Sequence, residues 1–190
     1  MLFRSVMKMG QFIFGENKAQ ELVEKHEYIS KAQWHFIGHL QTNKVRYVAP
    51  FVQMVQSVDS FRVLEEISRQ AKKNNRVIDC LLQIHIAREE DKFGLSEEEA
   101  IELLDNGAWK NLKHIRICGL MGIATFTDDM DVVRGEFRGL ANFFRHVQRT
   151  YFSETSSFCE LSMGMSDDYR IAIEEGSTID RKSTRLNSSH

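Results

Sequence analysis

Small and hydroxyl-bearing residues gather near the end of the chain, beside two apolar runs. Ser162-Met163-Gly164-Met165-Ser166 follows one run, and Gly176-Ser177-Thr178 precedes the other. Such residues let backbone N–H groups approach an anion closely, and a helix beginning at Ser166-Asp167 would add a favourable dipole. The pattern predicts a phosphate cradle formed by Ser162, Met163, Ser166, Gly176, Ser177 and Thr178. Ordinary turn and N-cap chemistry would use the same residue types.

Short apolar runs alternate with helical patterns along the chain that must position these residues. Runs such as Met54–Val58 have the length of buried strands, and amphipathic segments such as 131–151 separate them. The alternation predicts an α/β fold with about six βα units and a further strand beginning at Thr178-Ile179. A (β/α)8 barrel and a doubly wound sheet would both give this pattern, so the alternation leaves both open.

Local signals set the expected ends of several elements. Ser96-Glu97-Glu98-Glu99 has the form of a capping box, and Asp59 or Ser60 is expected to cap the helix that follows Met54–Val58. The expected strands include 11–14, 35–38, 77–86, 115–123 and 158–163, and the last expected helix is 167–175.

Four phrases in a fixed order resemble the YggS/PROSC family of pyridoxal 5'-phosphate (PLP) homeostasis proteins. They are Phe14-Gly15-Glu16-Asn17, the segment 35–44 (HFIGHLQTNK), the segment 161–168 (LSMGMSDD) and Gly176-Ser177-Thr178. The resemblance implies a (β/α)8 TIM barrel of the alanine racemase N-terminal type and decides between the two folds left open above. Measured against the family, the barrel is expected to be incomplete, without its first strand and most of its last.

The two ends of the chain look unlike the rest. Residues 180–190 are polar, rich in Ser and Arg, and resemble the in-frame translation of a common sequencing adapter. Residues 2–5 resemble the opposite adapter. We therefore expect residues 1–5 and 180–190 to be non-native, and residues 6–179 to form a partial PLP-binding barrel domain.

The resemblance adds residues to the predicted site. It implies that Asn17 lies in the cofactor pocket, although an N-cap role would also explain an Asn at that position. His39 follows one expected strand and Met121 lies near the end of another, so we expect His39 in the pocket wall and Met121 in the pocket lining. The family has an arginine beside the pyridine ring; Arg181 stands at the matching offset, and we interpret this as accidental because it lies in the adapter-like segment.

The implied function is PLP binding and homeostasis, which is a carrier or buffer role in vitamin B6 and amino-acid balance without catalysis. No catalytic residue is assigned. The lysine that binds PLP as a Schiff base in the family lies upstream of Phe14-Gly15-Glu16-Asn17, and we expect this fragment to lack it, so the cofactor is assigned to the full-length parent. The alternatives are an alanine racemase-like PLP enzyme and a non-binding barrel fragment. Expected partners are PLP and PLP-dependent apoenzymes, with a monomeric intact protein.

Composition excludes several other classes of protein. The chain is 42% hydrophobic and 27% charged with a formal net charge of -2, which fits one globular domain and indicates no nucleic-acid or membrane partner. The cysteines Cys80, Cys118 and Cys159 sit in apolar segments without CxxC spacing and predict buried reduced thiols, as expected in the cytoplasm. The histidines lack metal-ligand spacing, so no metal site is predicted.

Overall fold

The computed structural model describes residues 7–89, 93–179 and 181, in which strands and helices alternate. The strands are β1 (Ile13–Glu16), β2 (Gln33–Phe36), β3 (Met54–Val58), β4 (Ile78–Ile84), β5 (Ile115–Gly122) and β6 (Glu160–Ser162). The helices are α1 (Ala19–Tyr28), α2 (Thr42–Val48), α3 (Phe61–Lys73), α4 (Glu97–Asn106), α5 (Met130–Tyr151) and α6 (Tyr169–Glu174), and a 3-10 turn covers Ala108–Asn111. Apart from Arg181, the ends predicted to be non-native, 1–5 and 180–190, lie outside the described residues.

The strand order decides between the two folds that alternation leaves open. The six strands form one sheet in the order β1-β2-β3-β4-β5-β6, and every neighbouring pair is parallel. A doubly wound sheet reverses its strand order at a switch point, whereas a barrel adds each strand beside the one before it. The sheet is therefore the arc of an incomplete (β/α)8 barrel. Ile179 forms an isolated parallel bridge with Ser162, at the place where the further strand was predicted to begin.

The two faces of the sheet pack against different material. The outer face meets the helices in one large apolar core, to which the register-matched Leu82, Leu120 and Leu161 contribute. The inner face, which lines the lumen of the arc, holds a small separate cluster of buried residues: Met54, Leu81, Cys118 and Met121. Most apolar burial thus lies between sheet and helices, as expected for βα units.

The predicted helix starts are confirmed where a side chain caps the helix. Ser60 accepts a hydrogen bond from the Val63 N–H at 3.4 Å and caps α3. At α4, Ser96 Oγ accepts from the Glu99 N–H at 3.1 Å, and the Glu99 carboxylate accepts from the Ser96 N–H at 2.8 Å. Both halves of the capping box are present, so these local signals place the helix starts correctly.

Several expected boundaries differ from the structure. β1 covers Ile13–Glu16 rather than 11–14, because its pairing with β2 continues through Glu16 and Phe36. β6 is limited to Glu160–Ser162. The last helix begins at Tyr169 rather than at residue 167, because the Asp168 carboxylate accepts the Met165 N–H at 2.5 Å and holds 165–168 as a turn. No helix therefore begins at Ser166-Asp167, and the favourable helix dipole predicted for that position does not arise there.

Two of the three cysteines are buried and one is exposed. Cys80 and Cys118 are buried free thiols as predicted, but Cys159 is exposed. It precedes β6, where Phe158 turns into the core and leaves its neighbour outside.

Among the residues described, no helix combines the length and apolar character needed to cross a bilayer.

Candidate functional site

The carboxyl ends of β5 and β6 bring two predicted site residues side by side. Met121 and Ser162 are register partners on these neighbouring strands, and both are buried on the lumen side. There are two hydroxyl-bearing phrases at this end of the chain, and Ser162–Ser166 is the first. The bridge between Ser162 and Ile179 brings the second phrase, Gly176-Ser177-Thr178, to the same place. In barrels of this kind, functional groups collect at this end of the strands and phosphate sites favour the last βα loops.

The side chains of Ser177 and Thr178 join the second phrase to β6. Ser177 Oγ lies 2.8 Å from the Met163 carbonyl oxygen, to which it can donate, and accepts from the Met163 N–H at 3.4 Å. Thr178 Oγ1 accepts from the Leu161 N–H at 2.8 Å and donates to the Glu160 carboxylate at 2.8 Å. Both hydroxyls therefore fasten the backbone of this segment to the backbone and side chains of the strand.

The backbone N–H groups of the second phrase are also bonded within the protein. Those of Gly176, Ser177 and Thr178 donate to Ile173, Ala172 and Leu161 at 3.1, 2.9 and 2.9 Å. An anion that used these N–H groups would have to replace the existing acceptors. Ser166 lies apart from them, exposed in the turn before α6. The structure thus brings Ser162, Met163, Ser177 and Thr178 together, with Gly176 at the exposed end of the segment.

Gly164 makes the turn after β6 possible. Its φ of +97° lies in the region that only glycine adopts without strain, and a Cβ there would stand 2.6 Å from the Cβ of Ala172. Close packing of this turn on α6 therefore requires glycine at this position.

Arg181, the residue at the offset of the family's arginine, lies inside the lumen. Its guanidinium is buried and donates to Met121 Sδ at 3.2 Å and to the Gly122 carbonyl at 3.1 Å, while its N–H bonds to the Gly164 carbonyl at 3.1 Å. Burial lowers the pKa of Arg181 to about 10. Its Nε has no acceptor among the described residues, so one buried donor faces the lumen unsatisfied.

At the carboxyl end of β1, on the opposite side of the barrel mouth, Glu16 rather than Asn17 has the helix-capping role that was the alternative for Asn17. The helix α1 is capped at Lys18 with no side-chain bond, and the exposed Asn17 is not its N-cap. Instead, the Glu16 carboxylate accepts from the N–H groups of Asn17 and Lys18 at 2.7 and 3.1 Å and pairs with Lys25. Glu16 was missed because its partner Lys25 lies far along the helix, although an acidic residue just before a helix start is a recognisable signal.

His39 links three loops at the mouth. Its Nδ1 lies 2.9 Å from the Asp59 carboxylate, and its ring stacks on Phe93 with centroids 3.8 Å apart. The preceding Gly38 packs so closely on Asn17 that a Cβ would overlap the Asn17 carbonyl oxygen. Asn17 and His39 therefore share one side of the mouth, between β1 and β4, while Met121 and Ser162 lie on the other.

The described strands carry no lysine. The lysines that the structure describes lie instead in helices, caps and turns, and Lys25 is already paired with Glu16. No cluster of metal-ligating side chains occurs within residues 7–89, 93–179 and 181. Within the part of the chain that the structure describes, this mouth therefore offers hydrogen-bonding groups and the buried guanidinium of Arg181.

Residues 4–178 match the family described as alanine racemase, N-terminal domain. A curated relative from Aquifex aeolicus (strain VF5), named pyridoxal phosphate homeostasis protein, is 37% identical over 97% of this chain and 80% of its own length. The chain belongs to the pyridoxal phosphate homeostasis (YggS/PROSC) family. A relative of the same name from Haemophilus influenzae is 36% identical over 96% of this chain and 77% of its own length. The resemblance found in the sequence is confirmed.

Solved structures agree with this family membership. PipY of Synechococcus elongatus PCC7942 without PLP superimposes with a TM-score of 0.88 at 30% identity, over 97% of this chain and 85% of PipY. PipY with PLP bound gives a TM-score of 0.85 at 29% identity, with the same coverage. Alanine racemase from Streptomyces lavendulae shares the fold alone, with a TM-score of 0.66 at 15% identity over 86% of this chain and 42% of that one.

Proposed function

We propose that this chain binds PLP at the carboxyl ends of its strands and serves PLP homeostasis as a carrier or buffer. The proposal rests on one observation above the others, which is the junction of the two hydroxyl-bearing phrases beside β6. Ser177 Oγ lies 2.8 Å from the Met163 carbonyl, so residues fourteen apart in sequence meet where barrels bind phosphate. Relatives named for PLP homeostasis and a PipY structure with PLP bound support it.

The chain's own residues fit the proposed cofactor. PLP has an anionic phosphate by which a protein can hold it, and its aldehyde and electron-withdrawing pyridine ring would stabilise negative charge on the carbon next to the nitrogen of an attached amine. The buried, unsatisfied Nε of Arg181 is a donor that suits such a ligand. The residues proposed to hold the phosphate are Ser162, Met163, Ser166, Gly176, Ser177 and Thr178. Asn17, His39 and Met121 would form the pocket wall, and Arg181 would face the ring.

The proposed role is non-catalytic. Racemisation needs acid and base groups on both faces of a bound ring. His35, a histidine buried in the lumen beside this site, already bonds to Gln56 at 3.0 Å, and burial lowers its pKa to about 4. A neutral, hydrogen-bonded imidazole is a poor proton acceptor, which favours a carrier over an alanine racemase-like enzyme.

A second candidate, a barrel fragment that does not bind PLP, is favoured by the bonding of the Gly176–Thr178 N–H groups. All three already have acceptors in the protein at 2.9 to 3.1 Å. Replacing them would cost the free energy of these bonds, which is about 1 kcal/mol each. The affinity for PLP is therefore the quantity that separates the carrier from the fragment.

We further propose a cytoplasmic monomer that delivers PLP to PLP-dependent apoenzymes. The buried Cys80 and Cys118 are free thiols, which fits a reducing compartment. Delivery to apoenzymes requires that PLP leave the site intact, and this agrees with a site that holds its ligand through hydrogen bonds.

The test is a PLP titration of the full chain, followed by absorbance and by quenching of the fluorescence of Trp34 and Trp109. We expect saturable PLP binding, weaker binding of pyridoxal, which lacks the phosphate, and no exchange of the α-proton of alanine. Ser177→Ala should weaken PLP binding, whereas Ser157→Ala, outside both phrases, should leave it unchanged. Absence of saturation would favour the non-binding fragment, and proton exchange would favour the enzyme.

Borohydride reduction in the presence of PLP gives a separate check on the mode of binding. Because the described strands carry no lysine, we expect no single lysine to become stoichiometrically modified. Peptide mapping that found one fully modified lysine would contradict this expectation and point to covalent attachment within the chain.

A further inference from the structure

Three buried polar side chains, those of His35, Gln56 and Ser162, form a hydrogen-bonded series that crosses the lumen from β2 to β6. Ser162 Oγ donates to Gln56 Oε1 at 2.7 Å, and Gln56 Nε2 lies 3.0 Å from His35 Nδ1. The exposed fractions of Ser162, Gln56 and His35 are 0%, 1% and 7%. The first bond joins residues 106 positions apart, so it ties distant parts of the arc together.

The direction of these hydrogen bonds is fixed by the groups involved. Burial lowers the pKa of His35 to about 4, so its imidazole is neutral near neutral pH, even though Asp79 acts in the opposite direction. Gln56 uses its amide oxygen to accept from Ser162, which leaves its N–H₂ to donate to Nδ1 of His35. The proton of the imidazole is then on Nε2. Each side chain thus satisfies a hydrogen-bonding group of its neighbour, and Gln56 bonds to both His35 and Ser162.

Gln56 thereby determines what Ser162 can offer a ligand. A hydroxyl has one hydrogen, and that of Ser162 points at Gln56. The Ser162 hydroxyl is therefore an anchor at the carboxyl end of β6 rather than a hydrogen-bond donor to an anion, so the part of Ser162 in holding the phosphate is to position the residues that follow it. The residue after it, Met163, exchanges bonds with Ser177 at 2.8 and 3.4 Å, so the anchor lies one residue from the junction of the two phrases.

We propose that Gln56 is a positioning residue for the phosphate of the bound cofactor, acting through Ser162 on the junction of 163 with 177. This inference rests on the proposed function, because it concerns the same site. It assigns to Gln56, a residue in the middle of β3, a role in phosphate recognition that no local pattern around it indicates.

The lumen offers a matched control. Gln83 lies on β4, is buried like Gln56, and donates to the Phe93 carbonyl at 2.8 Å, whereas the hydroxyl of Ser162 donates to Gln56. Gln56→Met and Gln83→Met remove the same amide and put the same apolar side chain at a buried position on the lumen side of the sheet. Only the first breaks the connection to β6, so a difference between the variants separates positioning from a general effect on packing.

The experiment measures the affinities of the full chain and both variants for PLP and for pyridoxal, with urea unfolding as the check that each is folded. We expect Gln56→Met to weaken PLP binding by about tenfold, with little change for pyridoxal, since losing buried hydrogen bonds has about this effect. Gln83→Met should leave the ratio of the two affinities unchanged. Ser162→Ala should reproduce the effect of Gln56→Met, and the double variant should add little to either.

The spectroscopic readout is the ¹⁵N chemical shift of the His35 ring nitrogens. The wild-type chain should show an unprotonated Nδ1 that accepts a hydrogen bond, and Gln56→Met should shift that resonance while Gln83→Met does not. Equal PLP-to-pyridoxal ratios in both folded Met variants would overturn the role of Gln56 and leave the proposed function standing. No PLP binding by the wild-type chain would overturn the proposed function and this inference together.

Discussion

The outer and inner faces of the sheet contain neighbouring residues of the same strands but have different tasks. On the outer face, Leu82, Leu120 and Leu161 pack on the helices as part of the large apolar core. On the inner face, Gln83 and Ser162 are buried with their polar groups hydrogen-bonded. Burial alone therefore does not tell the faces apart. The outer face contributes most of the free energy of folding through apolar area, and the inner face specifies the arrangement of groups at the mouth.

The largest expected effect comes from emptying the outer core. Phe137 on α5 is 0% exposed, and Phe137→Ala should lower the free energy of unfolding by about 4 kcal/mol, because it removes buried area and leaves a cavity. Urea unfolding measures this. The control is Phe126→Ala at a 90% exposed position near the mouth, where we expect a change below about 0.5 kcal/mol. Similar losses of unfolding free energy in the two variants would contradict the distinction between the buried core and the exposed loops at the mouth.

The next effect concerns the turn between the inner face and α6. Gly164→Ala forces a side chain into a positive-φ position and against Ala172, so we expect a loss of about 2 kcal/mol and weaker PLP binding. Gly139→Ala in α5 is the matched control, because a Cβ there meets no atom within 4 Å and alanine favours a helix by about 1 kcal/mol. A Gly164→Ala chain as stable as the wild type would show that the turn adapts freely.

A smaller effect is expected where β1 meets α1. Glu16→Gln retains one oxygen for the Asn17 and Lys18 N–H groups but loses the ion pair with Lys25, so the free energy of unfolding should fall by about 1 kcal/mol. Glu24→Gln on the exposed side of α1 should change it little. If both substitutions had the same effect, the Glu16 carboxylate would be an ordinary surface group rather than the anchor of the helix start.

Local signals predicted most of the elements but not how the strands are ordered. The capping box at Ser96–Glu99 and the cap at Ser60 are short-range interactions that the sequence displays directly. Strand order is a long-range property, and the same alternation fits both a barrel and a doubly wound sheet. Only the family resemblance decided between them in advance. The end of β1 was misplaced because its pairing with β2, which the sequence does not display, continues through Glu16.

The location of the candidate site could be predicted from the sequence, but several of its hydrogen bonds could not. The two hydroxyl-bearing phrases were expected to meet, and Ser177 does contact Met163. The partner of Ser162 was not predictable, because Gln56 lies 106 residues away and nothing near either residue indicates the other. A usable signal did exist: His35, Gln56 and Gln83 each interrupt an apolar strand. Polar residues at such positions need partners when buried, so they mark the lumen side.

The smallest expected effect lies outside both faces, where Glu175 at the end of α6 meets α5. The guanidinium groups of Arg138 and Arg134 lower the pKa of the Glu175 carboxyl to about 2 through hydrogen bonds of 2.9 to 3.1 Å. Because the pKa is depressed in the folded state, the stabilisation is complete above the ordinary value of 4.5 and is lost as the pH falls towards 2. The difference in unfolding free energy between wild type and Glu175→Gln should therefore shrink from pH 6 to pH 3.

Urea unfolding at several pH values measures that difference, with Glu154→Gln in the exposed turn after α5 as the control. Solvent screens the Glu175 cluster, so its contribution should also fall with added salt. The buried chain of His35, Gln56 and Ser162 should not respond to salt, since its members are neutral and closed to water. An unfolding free energy that falls with added salt as much in Glu175→Gln as in the wild type would contradict this assignment, because the charge-sensitive contacts would then lie elsewhere than at Glu175.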